Sequence, residues 1–129
     1  MKMILGVLSL SLSLSLAACA GTPPPADLTV VAGQTSFTGW VRVSEGEFQL
    51  YPREFQVGEA FSRPCVSGAL PRNAQRAGRD LTGSLVTFTG RTAPWSGATS
   101  QILEYEGSRI VNQCRSDLVI LADAVTVLR

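Results

Sequence analysis

Histidine does not occur in this chain, and lysine occurs once, at Lys2. Without an imidazole, the commonest general base and the commonest metal ligand are both missing, so no metal site is expected. Without a lysine beyond the second residue, neither a Ser-Lys dyad nor a Schiff base can form in the body of the chain. Cysteine is sparse, and Cys19, Cys65 and Cys114 lie far from the Cys-x-x-Cys spacing that activates a redox thiol. Excess charge is lacking as well: 11 basic residues stand against 10 acidic ones. Nucleic acid, or an anionic surface recognised by charge, calls for a basic field that this balance does not provide. The basic residues other than Lys2 are all arginine, a usage that suits bidentate contacts to carboxylate or phosphate and is equally explained by genomic base composition. The longest apolar stretch, Ile4 to Leu16, falls short of the ~20 residues that span a bilayer comfortably.

That stretch is nonetheless organised. Lys2 supplies a short positive region, Ile4 to Leu16 an apolar region of the ~7–15 residues typical of a secretory signal, and Ala17-Ala18 the small residues of a cleavage point. Ser9 to Leu16 alternate with the period of a strand. Their place at the extreme N-terminus, behind a lysine, favours a signal instead, with a single-spanning anchor as the alternative. The four residues Leu16-Ala17-Ala18-Cys19 resemble the lipobox of bacterial lipoproteins, matching it at every position. The resemblance covers the signal alone. It implies that the Cys19 thiol takes a diacylglyceryl group, that the peptide is cut before Cys19 and that the new amine is open to acylation. Each buried methylene then contributes ~0.8 kcal/mol, and two or three chains make a durable anchor where one does not. In the Gram-negative lipoproteins it resembles, the residue after the cysteine directs sorting. Ala20 at that position implies the outer membrane, facing the periplasm.

With Cys19 assigned to lipid by that resemblance, Cys65 and Cys114 remain as a pair in an oxidising compartment. A bridge between them is expected and is worth about 4 kcal/mol on the chain-entropy view; two buried free thiols are the alternative. The chain then divides into a signal peptide (1–18), a lipidated cysteine with a Pro-rich tether (19–27) and a single β-rich domain (28–129). Pro23-Pro24-Pro25 favours an extended tether.

Beyond the tether the chain is written in short β-type runs punctuated by glycine. Phe37 to Val43 and Glu47 to Tyr51 flank Ser44-Glu45-Gly46, read as a three-residue hairpin connection. In the second run Phe48 and Leu50 mark an apolar face, opposite a wet face of Glu47, Gln49 and Tyr51. Leu85 to Thr92 places Val86 and Phe88 on one side, Thr87 and Thr89 on the other. Ile102 to Tyr105 and Arg109 to Val111 straddle Glu106-Gly107-Ser108 as a second hairpin. Leu118 to Ala122 and Ala124 to Leu128 are the most apolar stretches and are expected to contain a central strand, with a break near Asp123. A short helix is expected over Arg72 to Ala77, after Pro71 and before Gly78. This order resembles an OB-fold: a small antiparallel barrel with one short helix, Cys65 to Leu70 as its third strand and Gly39 and Gly90 at its sharp bends. The extra hairpin departs from that pattern, and a β-sandwich is the alternative.

Few residues suggest chemistry. Glu45 with Glu47, and Glu104 with Glu106, are the carboxylate pairs available for acid/base work, each beside a turn glycine. Arg72, Arg76 and Arg79 recur at helix-like spacing and are candidates to grip an anionic group. Trp40, Tyr51, Trp95 and Tyr105 are candidates for an aromatic platform, Trp95 foremost as a contact point in a polar loop from Thr92 to Ser100. No catalytic residue and no cofactor is expected. The reading is a membrane-anchored envelope lipoprotein with a non-enzymatic binding or structural role, its partners the membrane through Cys19 and an envelope protein or glycan, with no nucleic acid. The alternative is a carboxylate-dependent hydrolase acting on envelope polysaccharide.

Overall fold

A computed structural model describes residues 28–59, 62–75, 81–96 and 102–129. Among these residues seven strands occur in chain order: β1 (Ser36–Ser44), β2 (Glu47–Tyr51), β3 (Val66–Ala69), β4 (Leu85–Pro94), β5 (Leu103–Tyr105), β6 (Ser108–Ile110) and β7 (Leu118–Val127). Five of them close into a barrel in the order β1-β2-β3-β7-β4, while β5 and β6 form a separate two-stranded sheet. The barrel is thus the small OB-like barrel expected, with its short helix α1 (Arg72–Gln75) between the third and fourth barrel strands. A sandwich is ruled out because the five strands form a closed ring, β4 pairing back onto β1.

Four details differ from expectation. The barrel is not wholly antiparallel: β3 runs parallel to β7, pairing Gly68 with Ile120 and Ala69 with Leu121. Both hairpins turn in two residues, since Ser44 pairs with Glu47 and Tyr105 with Ser108. Glu45 (φ 52°) with Gly46 (φ 86°), and Glu106 (φ 43°) with Gly107 (φ 84°), hold the double positive φ of a type I′ turn, whose twist matches that of the flanking strands. The last strand is continuous through Asp123, which is skipped in the register as a bulge: Thr89 pairs with Ala124 and Gly90 with Ala122. A Cβ on Gly90 would lie 2.2 Å from the Leu121 carbonyl oxygen, so only glycine admits this close approach. A 3-10 helix at Glu54–Gly58 was not foreseen; its Gln56 side chain accepts from the Arg53 backbone N–H (3.1 Å) and donates to Ser62 Oγ (3.2 Å).

Alternation fills the barrel. Phe37, Val41, Phe48, Leu50, Val86, Phe88 and Ile120 point inward and pack as one cluster. Phe48 and Phe88 stack with ring centroids 3.8 Å apart. Outside the barrel, the β5–β6 hairpin lays Tyr105 and Ile110 against Ala69, Val119 and Leu121. A third cluster joins Trp40 and Tyr51 to Cys65 and Cys114, which are bonded to each other.

Candidate functional site

The outer face of β2 is the most heavily built polar region of the domain. Alternation sends Phe48 and Leu50 into the barrel and Glu47, Gln49 and Tyr51 outward, toward what the sequence suggests is water. All five residues are buried instead, Glu47 and Gln49 each 2% exposed. The cover is the segment that follows β6. Glu47 Oε1 accepts hydrogen bonds from the backbone N–H of Val111 (2.8 Å) and Asn112 (2.7 Å). Its Oε2 accepts from the N–H of Gln113 (3.2 Å) and from Gln49 Nε2 (2.8 Å). Asn112 lies at φ 59°, which turns successive N–H groups toward one point and makes a concave anion seat. The seat is occupied by the chain's own carboxylate.

Two further ties hold the cover down. The Cys114 N–H donates to Ser67 Oγ (3.0 Å) beside the Cys65–Cys114 bridge, whose Cα atoms are 5.4 Å apart. The Asn112 side chain closes the loop on itself, donating to the Ser116 carbonyl (2.8 Å) and accepting from the Ser116 N–H (3.2 Å). Among the described residues no buried side-chain nitrogen or oxygen lacks a partner. In OB-type barrels the face of strands two and three is a usual ligand surface. Here that face is sealed from within.

The two carboxylate pairs meet different surroundings. Glu47 is consumed by the seal, while Glu45 stands exposed in the adjoining turn. Glu104 and Glu106 are both exposed, the first across from Arg109 and the second in a turn. The aromatic candidates do not form a platform either. Trp40 and Tyr51 pack on the disulfide, and Tyr105, at the end of β5, is buried against Ala69, Val119 and Leu121. Trp95 is half-buried rather than fully displayed, packing on that same outer cluster, and its backbone N–H donates to the Asp117 carbonyl (2.8 Å). Thr92 to Pro94 belong to β4, not to a loop.

Tyr105 carries the largest electrostatic perturbation. Its hydroxyl donates to Asp123 Oδ1 (2.8 Å), and the Arg91 guanidinium sits 5.8 Å from its ring centroid. Its pKa is pushed up to about 12, by burial first, then by the hydrogen bond to Asp123 and the charges of Asp123 and Glu106, with Arg91 opposing. A phenol held protonated in this way is no general base near neutrality. The Tyr51 pKa is also raised by burial, against the lowering effect of Arg42.

Of the three arginines, Arg72 is exposed at the start of α1, and Arg76 and Arg79 lie outside the described residues, as does Cys19. The Arg72 N–H donates to the Glu106 carbonyl (3.1 Å), and its aliphatic stem lies against Gly107. Gln75, which sequence reading passed over, donates to the carbonyls of Gly46 (3.0 Å) and Leu70 (3.3 Å) and contacts Ser108 Oγ. It thereby joins the helix to both hairpins. An apolar recess of about 20 Å³ opens beside it, bounded by Val43, Phe48, Leu70, Leu81 and Phe88. That is space for about one water, far below the ~300 Å³ of a ligand pocket. Among the described residues no three His, Cys, Asp or Glu gather to hold a metal ion, and no helix is long and apolar enough to cross a membrane. Compared with protein-family models, with curated proteins and with solved structures, the chain matches none.

Proposed function

We propose that this chain is a lipoprotein of the bacterial envelope, held by lipid on Cys19 at the periplasmic face of the outer membrane, with a binding or structural role toward an envelope protein or glycan. The observation that carries this reading is the run Leu16-Ala17-Ala18-Cys19 behind Lys2 and a short apolar stretch. The Cys65–Cys114 bridge supports it, because such bonds persist in oxidising compartments. The engagement of Glu47 in four hydrogen bonds weighs against the hydrolase alternative, which needs a carboxylate free to meet substrate.

The test is fractionation of cells making the native chain or Cys19→Ser. The native protein is expected in the membrane fraction, with a mass that includes acyl chains on Cys19. The variant is expected to lose both. Native protein with an unmodified Cys19 and the leader still attached overturns the reading.

A further inference from the structure

The barrel closes on strands of unequal length. β4 and β7 have ten residues each and β3 has four, so β3 meets β7 only at Ile120 and Leu121 among the described residues. β4 outruns its neighbour β1 in the same way, since their pairing ends at Thr89. That overhang is covered by the chain itself: the Gly90 N–H donates to the Thr35 carbonyl (3.0 Å), the Gly33 N–H donates to Thr92 Oγ1 (3.3 Å), and Pro94 has no N–H to offer. The overhang of β7 has no such cover. Past Leu121 its outer edge pairs with no strand among the described residues.

The phase of the hydrogen bonds fixes which groups lie on that edge. The Leu128 N–H donates to the Leu85 carbonyl (2.8 Å) and the Leu85 N–H to the Arg129 carbonyl (3.0 Å), so the next pair along, Val86 with Val127, exchanges no bonds. Phe88 with Val125 repeats that phase two residues on. The backbone N–H and C=O of Val125 and Val127 therefore point away from β4, along the open edge. From Ala124 to Leu128 there is neither charge nor proline, the devices that blunt an edge against pairing. The same stretch carries the adjacent exposed pair Val127 (55%) and Leu128 (54%), whereas Val31, Phe55, Ile102 and Val111 are exposed singly.

Such an edge fits a copy of itself. Antiparallel pairing about a two-fold axis has to match outward groups with outward groups, so its centre falls on a residue. Centred on Thr126, Val125 of each copy faces Val127 of the other, which gives four backbone hydrogen bonds and sets Asp123 opposite Arg129 at both ends. A shift of the centre by one residue either way sets Asp123 or Arg129 against a valine instead. A carboxylate accepts at both oxygens, so the bond from the Tyr105 hydroxyl to Asp123 Oδ1 (2.8 Å) leaves Asp123 able to meet an arginine. We propose that two copies of this chain join edge to edge along β7, from Ala124 to Leu128 with Thr126 on the axis. This goes beyond the lipoprotein reading and does not depend on the anchor.

The purified full chain is expected to show about twice the monomer's protein mass by light scattering, as for a closed two-fold pair. Val127→Lys puts a charge into the pairing and is expected to halve that mass with the circular dichroism unchanged. The register is read by oxidative crosslinking, with the unaltered chain as background. Thr126→Cys brings the two copies' Cα atoms to about 4.5 Å, within reach of a disulfide. Ala124→Cys alone and Leu128→Cys alone leave them about 13 Å apart, out of reach, while the two combined face each other. Crosslinked dimer is expected from Thr126→Cys and from the combined variant, and from neither of the other two. A native chain of monomer mass, a dimer mass kept by folded Val127→Lys, or equal crosslinking at 124, 126 and 128 overturns the proposal. Should Val127→Lys fail to fold, the native mass and the crosslinking pattern decide.

Discussion

The barrel interior and the outer face of β2 are both dry, but different forces keep water out of them. Inside, Phe37, Leu50, Val86, Phe88 and Ile120 are buried by area, at roughly 25 cal/mol per Å² and without directional demands. On the outer face, Glu47, Gln49 and Ser67 are buried polar groups, kept there by directed hydrogen bonds and one covalent bridge. A group of that kind left unmet costs about 1–3 kcal/mol, so the seal depends on all its members being in place together. The interior supports every strand of the barrel, whereas the seal supports the segment that lies over it and the small cluster of Trp40 and Tyr51 on the bridge.

Damage inside should therefore be global, and damage to the seal local. The largest effect is expected from Phe88→Ala, which removes a stacked, fully buried ring and should cost about 3–5 kcal/mol. Denaturant melts followed by tryptophan emission and by circular dichroism should shift together. Next comes the double replacement Cys65→Ser with Cys114→Ser, expected to cost about 2–4 kcal/mol. Under native conditions hydrogen exchange of residues 111–114 should quicken more than that of β1 and β4, which feel the loss in global stability alone. Exchange that rises equally in all strands would mean that the two regions form one cooperative unit, and the distinction between them would fall.

The interior was legible because its cause is local. Val86 and Phe88 against Thr87 and Thr89 state their faces within four residues, and glycine at 46 and 107 marks the hairpins, though each turn proved one residue shorter. The parallel β3–β7 contact has no such mark, since parallel neighbours come from distant parts of a chain. The seal was misread for the same reason. Glu47-x-Gln49-x-Tyr51 is what a wet face looks like, and its donors lie at Val111 to Gln113, more than sixty residues on. One signal did exist: an asparagine two residues before a cysteine expected to be bridged suggests a left-handed turn held against something fixed. Arg72 is exposed at the start of α1, whereas Trp95 is drawn inward by the β5–β6 hairpin, whose packing no periodicity encodes.

Glu47→Gln divides the seal more finely. The amide oxygen can still accept from two backbone N–H groups. Its NH₂, however, faces the N–H of Gln113 and the amide of Gln49, where donor meets donor. A loss of about 1–3 kcal/mol is expected, smaller than that of the disulfide variant. Combined with the serine pair, it should cost more or less than the sum, because both changes act on one segment. Strict additivity by denaturant melts would show that the carboxylate and the bridge hold different things.

The smallest effect belongs to Tyr105, at the margin between the two regimes: buried by apolar neighbours on one side, bonded to Asp123 at its tip. Tyr105→Phe keeps the ring and removes the hydroxyl, and should cost about 1 kcal/mol near neutral pH. Its pH dependence is more telling. In the folded chain the phenol ionises near about 12, against 10.0 when unfolded, so the native state holds the proton more tightly. The stability this confers is fully present below pH 10 and drains away as pH rises toward 12. Replacing Tyr105 should flatten that decline without abolishing it, because the raised Tyr51 pKa contributes in the same direction. Ultraviolet titration of the native protein should lose its most alkaline step in Tyr105→Phe. Retention of that step would assign it to Tyr51, and would mean that burial beside the disulfide outweighs the bond to Asp123.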